Sequence, residues 1–361
     1  MKRLWKRAAA LVLAALMLCG GVLLTSCEKD LTGATPEELR GYMALESKHF
    51  QVTGTMFVFY LYETGSTVLN GLTEEKLAEM GYSEGMSLKE IRDEMGVSLF
   101  EKMRDYTAED VERLLTWCEG AYEAGLSLES ADYQSVENYL TNLRIESLYY
   151  ADGDSAAYIA SLYGGYVTEA DIANALQLEI LASKYATYLG EQIPPKMTEE
   201  RLNEIIASKY STADRDETIT RKIVHLYLPF DRFDGEENAQ KIAEQILREF
   251  DAAEDGIAYL ESAKEKYSSD SNFYYDNVSK GDMLSVIDEW LYTDGRAVGD
   301  IGMMTSANGY HIVYYAEESD PKYVADAKLD LQDAIREEFL AAVRKKAKIK
   351  LHKNVMNAIE I

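Results

Sequence analysis

The sequence is poor in the residues that build metal centres, disulfide frameworks and covalent active sites. Its 361 residues include four histidines and three cysteines. No His-Glu-x-x-His or Cys-x-x-Cys motif occurs, and no glycine-rich phosphate loop follows a strand pattern. The sequence therefore indicates no metal site and implies no cofactor.

Positive charge is also scarce. The chain has 37 Lys and Arg against 63 Asp and Glu, which gives a formal net charge of −26. Proteins bind nucleic acid through basic surfaces that neutralise phosphates, so this composition argues against nucleic acid as a partner. An acidic surface favours encounters with basic partners instead.

The N-terminus is the one region where basic residues precede a long apolar run. Residues 2–7 carry four basic side chains and residues 8–18 are apolar, which is the order of an export leader. Leu24-Thr25-Ser26-Cys27 follows and resembles the bacterial lipobox, in which the cysteine is lipidated. We therefore expect a lipoprotein signal peptide over 1–26, a lipid on Cys27, a tether over 27–35, and a location on the extracytoplasmic face of the cell membrane. The alternative is an uncleaved anchor helix.

A lipidated Cys27 would leave Cys118 as the one remaining thiol. One thiol cannot close an internal disulfide, so the exported protein has to be stable without one. Cys118 lies in an apolar helical pattern. This placement favours a buried small side chain over a nucleophile.

Residues 36–215 show helical patterning almost throughout. We predict a helix over 36–47 and a short strand over 49–52. Thr107 is a candidate N-cap of a later amphipathic helix, because its hydroxyl can accept a backbone hydrogen bond. Pro194-Pro195 breaks the pattern and is the best hinge candidate. The sequence thus predicts an all-helical domain over this region.

Residues 219–318 change to an α+β pattern. Alternating apolar residues predict strands over 223–228 and 308–315, one near each end of the segment. Two amphipathic helices follow the first strand, and a polar loop is expected over 268–281. Strands at both ends of such a segment can pair with each other, which predicts a separate α+β domain.

Residues 319–361 form a tail with one long amphipathic helix. Its apolar stripe consists of Val324, Leu331, Ile335, Phe339 and Val343. The tail is too short to fold alone, so we expect it to pack back on the helical N-terminal region and complete that domain. The predicted fold class is therefore α+β, with the 219–318 domain inserted between the helical region and its C-terminal helix.

Two of the four histidines lie on these two strands. Alternation places Ile223, His225 and Tyr227 on one face of the first strand. It likewise places His311 and Val313 together on one face of the last strand. Either the two histidines are satisfied core residues, or they belong to a functional site. The pattern alone leaves both interpretations open.

Five short motifs in this segment resemble one known family. They are Val224-His225-Leu226-Tyr227-Leu228, Lys266-Tyr267-Ser268-Ser269-Asp270-Ser271, Ser279-Lys280-Gly281-Asp282-Met283, Val298-Gly299-Asp300-Ile301 and Gly309-Tyr310-His311-Ile312. In order and composition they resemble parvulin-type (PpiC-like) peptidyl-prolyl isomerases, as found in exported foldases of the PrsA and SurA type. The last motif is the most specific match.

The resemblance implies a function and a site. The function is peptidyl-prolyl cis–trans isomerisation of exported client proteins, combined with chaperone binding by the helical region. Its implied catalytic residues are His225, Asp270 and His311, and its implied substrate-binding residues are Met283 and Ile287. The implied partners are unfolded or partly folded exported proteins that contain X-Pro bonds, and the oligomeric state stays open.

Two departures from the family pattern leave an alternative open. Phe273-Tyr274-Tyr275-Asp276-Asn277 stands where the family has a Gly-Gly-x-Leu-Gly loop, and Ile287 stands where it has the pocket phenylalanine. The first removes backbone freedom near the expected cleft, and the second offers a smaller wall to a prolyl ring. The alternative is a non-catalytic lipoprotein chaperone with a degenerate parvulin domain.

Overall fold

The computed structural model of the protein describes residues 31–70, 79, 86–93, 95–213 and 215–359. The predicted signal peptide and the predicted lipidation site Cys27 lie outside these residues. The chain divides into two compact units. The first contains the described residues up to Tyr188 and those from Leu340 onward, and the second runs from Leu189 to Phe339. The sequence placed its boundaries near residues 215 and 319.

The described chain combines helices with two small sheets, so it belongs to the α+β class, as predicted. In chain order the elements are α1 Pro36–Gly41, β1 Met43–Glu46, β2 Gln51–Thr53, α2 Gly54–Asn70, α3 Leu99–Glu123, α4 Ser130–Tyr150, α5 Ser155–Tyr163, α6 Glu169–Gln192, α7 Glu199–Lys209, β3 Ile219–Pro229, α8 Glu236–Ala252, α9 Gly256–Tyr267, β4 Tyr274–Val278, α10 Ser285–Leu291, β5 Ile301–Thr305, β6 Gly309–Pro321, α11 Lys322–Ala347, β7 Lys350–Leu351 and α12 Lys353–Asn357.

The first unit combines helices with a three-stranded sheet of order β2-β1-β7. The predicted helix over 36–47 is wrong in its second half, because α1 ends at Gly41 and β1 follows it. β1 pairs with β2, and it also pairs with β7 through Leu45 opposite Leu351. This long-range pairing overrides the helical pattern of the segment and ties the C-terminal strand to the N-terminal one.

Local capping sets where the helices of this unit begin. Ser98 caps α3, and Glu101 completes a capping box with it. The prediction that Thr107 begins this helix is wrong. Thr107 lies inside α3, where its hydroxyl donates to the Met103 carbonyl oxygen at 2.8 Å. The helix begins at Ser98 because the capping box there satisfies backbone N–H groups of the first turn, which have no partner within the helix. Backbone N–H groups in the middle of the helix, near Thr107, already have carbonyl partners and need no cap.

The second unit is organised around an antiparallel sheet of order β4-β3-β6-β5. The two predicted strands, β3 and β6, pair with each other at the centre of this sheet, as strands at the two ends of the segment can. Two strands escaped prediction. β4 lies inside the expected polar loop over 268–281, and β5 follows the turn that begins at Val298.

The two faces of this sheet have different partners. On one face Val224, Leu226 and Ile312 pack with residues of α8 and α9, in a core that is fully apolar. On the other face Ile223 and Val313 pack with residues of α10. Because alternate residues of a strand point to opposite faces, His225 and His311 belong to the α10 face. The sheet therefore presents both histidines beside an apolar cluster.

Candidate active site

Pairing of β3 with β6 brings the two histidines together. His225 lies opposite Val313, and His311 lies opposite Tyr227, so the histidines are diagonal neighbours on one sheet face. Nε2 of His225 lies 3.0 Å from Nδ1 of His311. Both residues are buried, with exposed fractions of 6% and 4%.

Asp270 reaches this pair from the loop after α9. The loop follows the edge of β3, because the Ser269 N–H donates to the Tyr227 carbonyl oxygen at 2.8 Å and the His225 N–H donates to the Phe273 carbonyl oxygen at 3.1 Å. Asp270 Oδ2 consequently lies 2.5 Å from His225 Nδ1. The structure thus brings the three predicted catalytic residues into one hydrogen-bonded cluster.

The charge of each group follows from its surroundings. Burial would raise the pKa of the Asp270 carboxyl, but hydrogen bonds from the Asn272 N–H, His225 and Tyr275 outweigh it and lower that pKa below 3.8. Burial lowers the pKa of His225, although Asp270 acts against this shift. Burial also lowers the pKa of His311, to about 4. At neutral pH the cluster therefore contains a carboxylate and two neutral imidazoles.

These charges fix the direction of the hydrogen bonds. An ionised Asp270 only accepts, so His225 donates its Nδ1 proton to it, and His225 Nε2 becomes an acceptor. His311 then donates its Nδ1 proton to His225, and His311 Nε2 accepts from the Ser306 hydroxyl at 2.9 Å. The result is a one-way chain of donors that ends at the Asp270 carboxylate.

Tyr227 covers the second imidazole. Its ring stacks on His311 at 4.9 Å between centroids, with the planes 20° apart. The Tyr227 hydroxyl donates to the Asn308 carbonyl oxygen at 3.3 Å. Gly309 allows this packing, because a Cβ there would lie 2.6 Å from the Tyr227 ring and 2.6 Å from the Leu228 carbonyl oxygen. Its role is close approach, and its φ is not positive.

No family model matches the sequence, and no curated protein matches it. Among solved structures, the chain is similar to PrsA from Bacillus subtilis, with 17% identity, a TM-score of 0.39, and coverage of 76% of this chain and 99% of that one. It is also similar to foldase protein PrsA from Streptococcus pneumoniae, with 14% identity, a TM-score of 0.26 and coverage of 78% and 93%. Foldase protein PrsA from Lactococcus lactis shows 11% identity, a TM-score of 0.27 and coverage of 86% and 95%.

These solved structures carry the name of the foldase type that the sequence motifs resemble.

Three further residues next to His225, Asp270 and His311 were not predicted from the sequence. The Tyr275 hydroxyl lies 3.0 Å from Asp270 Oδ1 and 2.9 Å from Oδ2. Ser306 begins the donor chain, because its hydroxyl donates to His311 Nε2. Met304 lies opposite His311 on β5 and is buried beside it. Tyr275 and Met304 lie on the two strands that were not predicted, so no pattern in the sequence pointed to either one.

The two predicted substrate-binding residues lie in the apolar cluster on the histidine face. Ile287, on α10, has an exposed fraction of 1%, and Met283, just before α10, is partly buried against the same cluster. Ile287 is therefore too deeply buried to touch a ligand, and it packs in the cluster beneath the more accessible side chains. Met283 is partly buried and Leu284 is exposed, so a ligand could touch both side chains.

A cavity of about 720 Å³ opens next to the stacked Tyr227 ring. Its lining includes Tyr227, Phe230, Arg232, Ser269 and Asn308. Arg232 is held in place by donating to the carbonyl oxygens of Ser268 at 2.7 Å and Lys266 at 3.1 Å. The cavity thus combines aromatic walls with a fixed cation, and the Tyr227 ring separates it from His311.

In the part of the chain that the structure describes, no group of three or more His, Cys, Asp or Glu side chains could hold a metal ion. No helix among the same residues is long and apolar enough to cross a membrane. Cys118, as its pattern suggested, is buried, and its thiol donates to the Leu178 carbonyl oxygen at 3.3 Å.

Proposed function

We propose that the second unit is a peptidyl-prolyl cis–trans isomerase of the parvulin type, in a foldase that acts on exported proteins. The observation that carries this proposal is the buried chain from His311 through His225 to Asp270. An apolar cluster lies on the same sheet face, and Tyr227, which stacks on His311, lines an open cavity. The motif resemblance supports the same assignment independently of the geometry.

The reaction breaks no covalent bond, so the site needs no nucleophile. Rotation about the X-Pro bond passes a twisted amide, which has lost the resonance that places negative charge on its oxygen; for a peptide bond this barrier is roughly 18–20 kcal/mol. The carboxylate in the site destabilises a carbonyl oxygen that carries partial negative charge, and the neutral imidazoles supply no positive charge to offset this. The site therefore favours the twisted amide over the planar one.

The neighbouring surfaces supply the grip that rotation requires. Met283 and Leu284 offer apolar contact for the prolyl ring, and the cavity beside Tyr227 offers room for the chain that flanks it. Holding one side of the amide while the other turns uses binding energy to orient the reacting bond. We also propose that a lipid on Cys27 anchors the protein to the extracytoplasmic face of the cell membrane.

A second function is supported by the departures from the family pattern. Ile287 is buried, and residues 274–278 form a paired strand where the family has a glycine-rich loop. A site with a shallower wall and a stiffer rim could bind proline-containing segments without speeding their isomerisation. The protein would then be a lipoprotein chaperone whose parvulin domain only binds.

A proline-peptide assay on the full chain separates the two functions. The isomerase predicts a rate above the uncatalysed one that falls when His311 is replaced by Ala. The chaperone predicts no acceleration, together with suppressed aggregation of an unfolded, proline-rich client. Absence of both effects would refute both functions.

A further inference from the structure

Tyr275 lies in the segment that departs most from the family pattern. Residues 274–278 form β4, in which Tyr275 is opposite Ile223. The register shifts by one residue between Tyr275 and Val278, where Asn277 adopts a φ of +56°. This bulge lets β4 continue past the site. It leaves Tyr275 on the same sheet face as His225.

From this position the Tyr275 side chain makes two contacts with the site. Its hydroxyl donates to the Asp270 carboxylate, at 2.9 Å from Oδ2 and 3.0 Å from Oδ1. Its ring meets the His225 ring edge-on, at 5.9 Å between centroids. One side chain therefore touches both partners of the shortest hydrogen bond in the cluster.

We infer that the Tyr275 hydroxyl positions the Asp270 carboxylate, and through it keeps the proton of His225 on Nδ1. Tyr275 is a positioning residue, since it acts through Asp270 and His225. Its effect on the reaction rate rests on the proposed function. Its effect on the histidine proton does not.

The donor count around Asp270 explains this role. The carboxylate accepts from His225 Nδ1, from the Tyr275 hydroxyl and from the Asn272 N–H at 2.9 Å. The Asn272 bond lies within the same loop and moves with it, whereas the Tyr275 bond fixes the carboxylate against the sheet. Hydrogen bonds to an ionised acceptor are stronger than neutral ones, so the hydroxyl both orients the carboxylate and keeps it ionised.

The simpler interpretation is that Tyr275 only packs. Its ring does lie against the apolar cluster of the α10 face. Tyr275→Phe separates the two roles because it keeps the ring and removes the hydroxyl. Tyr274→Phe is the matched control, since Tyr274 is the neighbouring residue, points to the other face and is 42% exposed.

The experiment compares imidazole ¹⁵N spectra and proline-peptide kinetics of the full chain and its two variants. We expect His225 to be the Nδ1–H tautomer in the unmodified chain. In Tyr275→Phe the Nε2–H tautomer should become measurably populated. The kcat should fall about tenfold, which corresponds to about 1.4 kcal/mol, and the KM should stay within about twofold. Tyr274→Phe should change neither measurement.

A second variant covers the case in which Tyr275→Phe does not fold. Site-specific 4-fluorophenylalanine at position 275 keeps the ring and puts a fluorine of similar size in place of the hydroxyl, but it has no proton to donate. It should populate the Nε2–H tautomer of His225, as Tyr275→Phe does. Unchanged His225 tautomers in both folded variants would overturn the inference. If the unmodified chain shows no isomerisation, the proposed function fails, and the ¹⁵N spectra alone still decide the role of Tyr275.

Discussion

His311 donates its Nδ1 proton to Nε2 of His225 at 3.0 Å, and the two imidazole rings stack with their planes 11° apart. This bond can exist only while His225 keeps its own proton on Nδ1. The Asp270 carboxylate holds that proton. A substitution of Asp270 should therefore weaken the hydrogen bond that His311 donates, although His311 itself is unchanged.

Replacing Asp270 by Ala should lower kcat/KM for a proline peptide by about 10- to 100-fold, equivalent to about 1.4–2.7 kcal/mol. The reason is that His225 loses the acceptor that fixes its tautomer. The unpaired His225 N–H should also cost about 1–3 kcal/mol of stability, and the domain should stay folded. Asp276→Ala is the control, because that side chain is 63% exposed on β4. Equal rates for both variants would contradict the role of Asp270.

Stability should depend on pH through the buried histidines. The pKa of His311 is about 4 in the folded chain, against an ordinary value of 6.5. Between these values the unfolded chain binds a proton that the folded chain does not, so the free energy of unfolding should fall as pH drops from 6.5 to 4. His311 alone should contribute about 3 kcal/mol to this change in the free energy of unfolding.

Urea unfolding at a series of pH values measures this slope. His311→Gln is the comparison, because glutamine does not titrate and its slope should be correspondingly smaller. The Asp270 carboxyl, whose pKa is lowered, contributes stability that is lost only as pH falls below 3.8. Identical slopes for the two chains would mean that His311 carries its proton when folded.

Gly309→Ala should disturb the site from the backbone. The new Cβ would lie 2.6 Å from both the Leu228 carbonyl oxygen and the Tyr227 ring, so β3 and β6 would have to separate there. Overpacking of this kind typically costs about 1–3 kcal/mol. Gly190→Ala, in α6 with no atom within 4 Å of the added Cβ, should be neutral or stabilising. Thermal unfolding of both variants tests the difference.

Deleting residues 349–361 should destabilise the first unit. Val355, Met356 and Ile359 are buried, and β7 pairs with β1. Losing three such side chains should cost roughly 5 kcal/mol or more. Lys350→Ala removes only an exposed ion pair with Glu46 and should cost about 0–1 kcal/mol. A deletion that unfolds at the same temperature as the full chain would refute the prediction that these C-terminal residues stabilise the first unit.

Cys27→Ala should release the protein from the membrane. The prediction follows from the order of basic residues, apolar run and lipobox-like sequence. Intact-mass analysis of the membrane fraction should show a chain that starts at Cys27 and carries acyl groups. A Cys27→Ala chain that is still processed and anchored would exclude lipidation at this position.

The sequence predicted the parts of the site that follow from strand alternation. Residues 223–228 and 308–315 have clear apolar periodicity, so the facing histidines followed once the two strands were paired. No such periodicity pointed to Asp270. Its role was predicted from the motif resemblance, because a loop has no regular repeat that fixes the direction of its side chains.

The missed strands show why the rest could not be predicted. β4 contains Asp276 and Asn277, which usually indicate loops, and it is an edge strand whose outer residues face solvent. It forms because β3 offers it hydrogen bonds from more than 40 positions earlier in the chain. Tyr275 therefore became visible only when the partner strand was known.

The pairing of β3 with β6 also sets when the site can form during folding. His225 and His311 are 86 positions apart, and the intervening chain contributes three α-helices, two strands and the Asp270 loop. Closing such a loop costs entropy before any contact compensates for it, and antiparallel pairing over this distance is slow. During synthesis, Nε2 of His225 thus has no His311 N–H to accept from until the ribosome has passed His311. The order of synthesis therefore prevents the chain of hydrogen bonds from His311 to Asp270 from forming before β6 has been made.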